Sequence, residues 1–196
     1  MMTLLFKHML KHNRIIIALS GATGIEYAVR MLKVLKVQGI ETHLIVSKPA
    51  EMTREYETAY RSQEIKSLAH SYYANADIGA KIASGSYPTD GMIIIPSSTK
   101  TLAEIANGIG DSLIARAADV VLKERRKLII CLRETPFSLI HIENMQKATL
   151  AGAIIMPPVP AFYHKPQTLD DIIDDFVYRT LDVFGLNLPQ MKQWQG

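Results

Sequence analysis

Residues 14–46 read RIIIALSGATGIEYAVRMLKVLKVQGIETHLIV, and the period of their hydrophobic pattern changes twice. RIIIAL at 14–19 is apolar without alternation, as expected of a strand covered on both faces in a parallel sheet. Ser20-Gly21-Ala22-Thr23-Gly24 turns the chain. From Ile25 to Val37 the apolar positions Ala28, Met31, Leu32 and Leu35 recur at helical spacing, and Gly39 is placed to end the helix. Thr42 to Val46 is again a strand. Parallel neighbours need a helical crossover of this kind, so the stretch is a β-α-β unit and predicts an α/β fold.

Outward from that unit the pattern repeats. Ser47-Lys48-Pro49 closes the second strand and opens a helix reaching about Tyr60. Residues 61–83 are polar, with Tyr72 and Tyr73, and give no clear period. Met92 to Ile95 is a third strand; Pro96-Ser97-Ser98-Thr99-Lys100-Thr101 leads into a helix over 102–107, and a further helix spans about 111–127 with Asp111 as its N-cap. Leu128 to Leu132 is a fourth strand, followed by a helix begun at Pro136 in its first turn and a short strand at 153–156. Pro157-Pro158-Val159-Pro160 stiffens a loop presenting Phe162, Tyr163 and His164, and the last helix opens at Thr168 and runs to about Phe184. Alternation at this spacing predicts one doubly wound, mostly parallel sheet in a single domain over residues 14–196, preceded by an N-terminal extension over 1–13.

Composition narrows the function classes. The 196 residues are 48% hydrophobic and 21% charged with a net charge of +3, which describes a globular chain and gives no Lys/Arg run to follow a nucleic-acid backbone. No apolar run reaches the roughly 18 residues of a membrane span. The single cysteine, Cys131, lies in an apolar strand, excludes an internal disulfide or CxxC motif, and suits a reducing, cytoplasmic setting. His8 and His12 have helical metal-pair spacing but no third ligand near them, so no metal site is expected.

Three strand ends are followed by small or hydroxylated residues: Gly21-Ala22-Thr23-Gly24, Ser47, and Ser98-Thr99-Lys100-Thr101. A parallel sheet puts all three along its carboxyl edge, where glycine admits a ligand and helix N-termini attract an anion. A second centre lies in residues 116–135, RAADVVLKERRKLIICLRET, where Arg116 and Lys123 share a helix and Arg133-Glu134 end a strand. Surface charge and anion binding both account for these cations, and a packing role is open for Tyr163 and for Trp194. The residues alone support a protein that binds a phosphorylated ligand beside one carboxylate.

The blocks SGATG, HLIVSK, IASGSYPTDGMIIIPSSTKTLAEIANGIGDSLIARAADVVLKERRKL, LRETPFSLIHIENM, PPVPAFYHKPQTLDDIIDD and the terminal WQG resemble the UbiX/Pad-type flavin prenyltransferases from about Arg14 to the end of the chain. The resemblance implies a flavodoxin-like or Rossmann-like fold, a homododecamer, and transfer of a dimethylallyl group from dimethylallyl phosphate to N5 and C6 of reduced FMN, without metal. The product, prenylated FMN, would serve a UbiD-type decarboxylase. It further implies that Gly21, Ala22, Thr23, Ser47, Ser98, Thr99, Lys100, Thr101 and Arg133 contact FMN. Arg116, Lys123, Glu134, Tyr163 and Arg179 would surround the prenyl phosphate, Glu134 would move the proton as a carboxylate tuned by burial, and Trp194 would help close the site. Thr23 replaces a frequent Ser of the family, and Ser97-Ser98-Thr99 replaces a frequent Cys-Ser-Met, which keeps the hydroxyls but alters contact with the flavin ring.

Two other functions compete. An FMN-dependent cysteine-type decarboxylase resembles the same fold but carries an early catalytic histidine; the first helix here has none, leaving His43 and His70. A passive FMN carrier would need no second phosphate site.

Overall fold

The computed structural model describes residues 10–191. Its strands are β1 (Arg14–Leu19), β2 (Glu41–Val46), β3 (Ser71–Ala74), β4 (Gly91–Ser97), β5 (Lys127–Leu132) and β6 (Ile154–Ile155). The helices are α1 (Ile25–Val37), α2 (Lys48–Glu57), α3 (Ser62–Lys66), α4 (Thr99–Ala106), α5 (Leu113–Lys123), α6 (Leu139–Leu150) and α7 (Leu169–Phe184). The six strands form one wholly parallel sheet in the order β3-β2-β1-β4-β5-β6. This is the Rossmann-type doubly wound order, and the winding reverses between β1 and β4.

Strand periodicity divides the core in two. Ile15, Ile17 and Leu19 face α1 and α7, while Ile16 and Ala18 face α4 and α5. β5 repeats the split, with Ile129 and Cys131 on the α1/α7 side and Leu128, Ile130 and Leu132 on the α5 side. Each isoleucine removed from water contributes about 1.5–3 kcal/mol, which is why unbroken apolar runs occupy the centre of the sheet. Burial pushes the Cys131 thiol well above its ordinary range, so it is an inert member of this core. No helix among the described residues is long and apolar enough to cross a membrane.

Gly91, at the start of β4, pairs with Lys127 of β5. Its φ is +146°, and a Cβ there would lie 2.2 Å from the Lys127 carbonyl oxygen. Both the conformation and the close backbone therefore require glycine. Gly91→Ala is expected to lower unfolding stability by roughly 2–3 kcal/mol, measured by urea denaturation; an unchanged midpoint would show that the strand start can shift.

The local differences from the sequence reading have local causes. α5 begins at Leu113 with Ser112 as its cap, not Asp111: the Ser112 hydroxyl accepts from the Ala115 N–H at 3.3 Å. Pro136 is not in the first turn of α6; it lies in the preceding loop, and Ser138 caps that helix in a reciprocal pair with His141. The unread region 61–83 contains α3 and the edge strand β3, whose four residues alternate in exposure and so never form an apolar run. Beside Arg14, the His12 N–H donates to Asp90 and the Asn13 carbonyl accepts from Glu41 N–H, so the end of the expected extension is fastened to the sheet. His8 lies outside the described residues.

Candidate functional site

The reversal of winding opens a crevice between the carboxyl ends of β1 and β4, and one buried serine sets its width. Ser20 accepts at its hydroxyl from Ser98 N–H at 2.8 Å and donates its own N–H to the Pro96 carbonyl at 3.1 Å. The loop carrying Gly21, Ala22 and Thr23 is thereby stapled to the loop carrying Ser98 to Thr101. Sequence reasoning passed over Ser20, although its position directly after an apolar strand was a usable signal. Gly21 has a reason beside ligand access: a Cβ there would lie 2.4 Å from Cβ of Pro49 at the start of α2.

The two helix N-termini beside the crevice differ. At α1, Glu57 accepts from the Gly24 and Ile25 N–H groups at 2.8 and 3.2 Å, so a carboxylate of the chain already answers that dipole. At α4, the Ser98 hydroxyl takes the Thr101 N–H at 3.3 Å, while the amides of Thr99 and Lys100, at the first two helical positions, have no intrahelical acceptor. Ser98 and Thr101 add hydroxyls 3.2 Å apart. This amide and hydroxyl set suits a phosphate monoester better than the N-terminus of α1, which Glu57 already answers. Arg133 is brought alongside by its N–H bond to the Ser97 carbonyl at 2.9 Å, with its side chain exposed. Lys100 turns outward onto Glu104 at 2.7 Å, and the Ser47 hydroxyl is committed to capping α2 through Ala50 N–H at 3.2 Å.

Glu134 follows Arg133 and is half-buried, one carboxylate oxygen accepting from Thr135 N–H at 2.9 Å. The remaining cations are dispersed. Arg116 and Lys123 project from α5 into a groove of about 470 Å³ walled by residues 78–85, where Lys123 pairs with Glu124 at 2.8 Å. Arg179 projects from α7, paired with Asp182, and Tyr163 stands in the turn Phe162–His164. α5 and α7 cover opposite faces of the sheet, so one chain does not bring Lys123 and Arg179 together. Trp194 lies outside the described residues.

A separate cavity of about 680 Å³ opens beyond β2 and β3, lined in part by Lys48, Glu51, Arg54, Lys66 and Tyr72. Its charges satisfy one another. Burial raises the Glu51 carboxyl, but hydrogen bonds from Ser62 and Arg54 and the charges of Lys66 and Arg54 outweigh this and hold it below its ordinary value.

The Flavoprotein family profile matches residues 5–180. The flavin prenyltransferase UbiX of Neisseria meningitidis is 51% identical over 184 residues, 94% of this chain and 97% of that protein. The chain belongs to the UbiX flavin prenyltransferase family. Among solved UbiX structures, AnUbiX (PadA1) in complex with FMN and dimethylallyl pyrophosphate superposes with a TM-score of 0.92 at 48% identity, covering 93% of this chain and 97% of that one. A dodecameric FMN-dependent UbiX-like decarboxylase from Escherichia coli O157:H7 gives 0.91 at 48% identity, covering 93% and 100%. UbiX membership extends through the whole sheet and both crevice loops, and it agrees with the expected Rossmann-like flavin-binding fold.

Proposed function

We propose that this chain is a flavin prenyltransferase that joins the dimethylallyl group of dimethylallyl phosphate to reduced FMN. The observation that carries the reading is the phosphate cradle at the start of α4 with Arg133 and Glu134 beside it, at the switch point of a UbiX-family sheet. Reduced FMN supplies the nucleophile when bound, at N5 and then at C6. The chain's own residues do the rest. Thr99 and Lys100 amides with the Ser98 and Thr101 hydroxyls hold the flavin phosphate, and Gly21 to Thr23 and Arg133 line its path. Arg116, Lys123, Tyr163 and Arg179 hold the departing phosphate as preorganised charge and hydrogen-bond donors, the largest contribution open to a site that ionises an allylic ester. Glu134, assisted by the departing phosphate, supplies the proton that the prenyl double bond gains as the flavin carbon adds to it and takes the proton released on ring closure.

These four phosphate donors converge only between copies of the chain, because α5 and α7 flank opposite faces of the sheet. Self-association also suits α6, where Leu139, Ile140 and Leu150 are 69%, 67% and 81% exposed, an apolar face that a monomer would leave in water. A homododecamer, as in the Escherichia coli relative, is the assembly proposed. The product is assigned to a UbiD-type decarboxylase, and a cytoplasmic location suits a reduced flavin and the free thiol of Cys131.

A cysteine-type decarboxylase is disfavoured by both available histidines. His43 is fully buried, its ring nitrogens 3.1 Å from the Tyr73 hydroxyl and 2.9 Å from Glu41, and burial lowers its basicity. His70 bonds Thr42 N–H at 3.3 Å, at the opposite end of β2 from the crevice.

Anaerobic incubation with reduced FMN and dimethylallyl phosphate, without added metal, is expected to release a flavin heavier by one dimethylallyl unit on mass analysis. Unmodified FMN from protein shown to bind it, with the diphosphate donor also tried, would reject the transferase reading.

A further inference from the structure

We propose that His164 and Asp175 form a positioning pair that refers the Tyr163 hydroxyl to the same rigid helix as Arg179, a role that presupposes the donor-phosphate site proposed above. The end of the loop before α7 is fastened to that helix by the Gln167 and Thr168 N–H groups, which donate to Asp171 at 2.9 Å, four and five residues beyond Tyr163. The backbone bonds from Val159 N–H to Pro157 and from Lys165 N–H to Phe162 stay within the loop, and Phe162 and Tyr163 are 71% and 57% exposed. His164, between them and the helix, is turned inward with its side chain only 12% exposed. Its Nδ1–H donates to Asp175 Oδ1 at 2.6 Å, linking the loop to α7.

The second ring nitrogen shows what kind of role this is. Nε2 is buried and has no hydrogen-bond partner among the described residues. It therefore reaches no ligand itself, and His164 acts through what it holds. What it holds is Tyr163, whose ring meets the imidazole edge to face with centroids 4.2 Å apart and planes at 71°. Asp175 lies four residues before Arg179, on the same face of α7 one turn away. That helix is anchored by buried Phe176, Val177 and Leu181 and by Arg30 of α1, which reaches Asp170 at 2.6 Å and also pairs with Asp174. Loop and helix thus act as one unit, and a displacement of about 1 Å between two groups that grip one phosphate can cost on the order of a hundredfold in rate.

The test measures initial rates of the assembled enzyme with reduced FMN over a range of dimethylallyl phosphate concentrations. His164→Ala is expected to lower kcat/KM for the donor roughly ten- to a hundredfold while FMN affinity stays within about twofold. His164→Asn, whose amide N–H takes the place of Nδ1–H, is expected to recover to within about threefold of the parent enzyme. In a Tyr163→Phe background His164→Ala should cost less than about twofold, because the hydroxyl it places is gone. Parent-like kcat/KM in His164→Ala, or an equal loss with and without the Tyr163 hydroxyl, overturns the proposal. So does loss of FMN binding in His164→Ala and Asp175→Ala alike, which marks a role in folding. If His164→Ala does not fold, Asp175→Ala, which removes the acceptor of the Nδ1–H bond, carries the same comparison. If the parent enzyme makes no prenylated flavin, the donor-site reading fails; if it turns over and Tyr163→Phe is impaired but His164→Ala is not, the positioning role alone fails.

Discussion

Glu134→Gln is expected to bind FMN within about twofold of the parent chain and to form prenylated flavin roughly a hundred- to ten-thousandfold more slowly, the span of a positioned acid or base. Glutamine keeps the shape and one acceptor oxygen, so the 2.9 Å bond from Thr135 N–H survives. The neighbouring bond between Arg133 N–H and the Ser97 carbonyl involves only backbone, and the phosphate cradle at α4 is made without Glu134. What glutamine cannot do is accept a proton. Closing a ring through an aromatic carbon of the flavin leaves a proton to be removed, and Glu134 is the carboxylate beside the cradle, two residues past β5. Flavin binding measured by fluorescence and product measured under single-turnover conditions separate the two effects. A variant that prenylates at the parent rate would remove Glu134 from the chemistry.

Lys123→Ala and Arg179→Ala are each expected to lower turnover by about a hundred- to a thousandfold, as loss of one preorganised donor to developing charge commonly does. The informative result comes from mixing them. Lys123 stands on α5 and Arg179 on α7, on opposite faces of one sheet, so the donor set proposed above requires more than one copy. When the two inactive variants are dissociated and reassembled together, some sites contain the intact lysine of one chain and the intact arginine of another. Activity should then return to roughly a quarter of the parent value, the share expected if each site draws these residues from two randomly mixed chains. Reassembled single variants serve as controls. Complementation at background level, with mixed assemblies shown by mass, would place both residues in one chain's site or neither in the site.

Much of the fold was legible because its physics is local. The run 14–19 is apolar at every position but the first, so it needs cover on both faces, and only a sheet flanked by two helical layers provides it. α1 matched its expected bounds because helical period, a small-residue turn before it and Gly39 after it agree. Thr168 announced α7 as an N-cap, with Asp171 completing a reciprocal pair. By contrast β3 escaped notice: an edge strand with one wet face has no distinctive run, and its pairing partner β2 lies 25 residues or more away in sequence. The caps of α5 and α6 were misplaced because Asp111 and Pro136 are also sound start signals, and the choice fell to Ser112 and Ser138 through packing that sequence does not display.

The same division runs through the site. The hydroxyls and glycines after β1, β2 and β4, and the Arg133-Glu134 pair after β5, were readable because a parallel sheet sends every carboxyl end to one edge. Their division of labour was not readable. That Glu57 occupies the N-terminus of α1, leaving that of α4 the open one, depends on a residue 33 positions away. That Gly21 must also leave room for Pro49 depends on how α2 approaches the crevice. The sequence by itself determined the alternation of strands and helices, the edge that carries the site and the residue types placed there, since these follow from period, capping and chain direction. Only the tertiary structure decided the strand order, the switch point between β1 and β4, and the placing of Lys123 and Arg179 on opposite faces. Those features arise from contacts between residues far apart in the chain, whose closure no local pattern encodes.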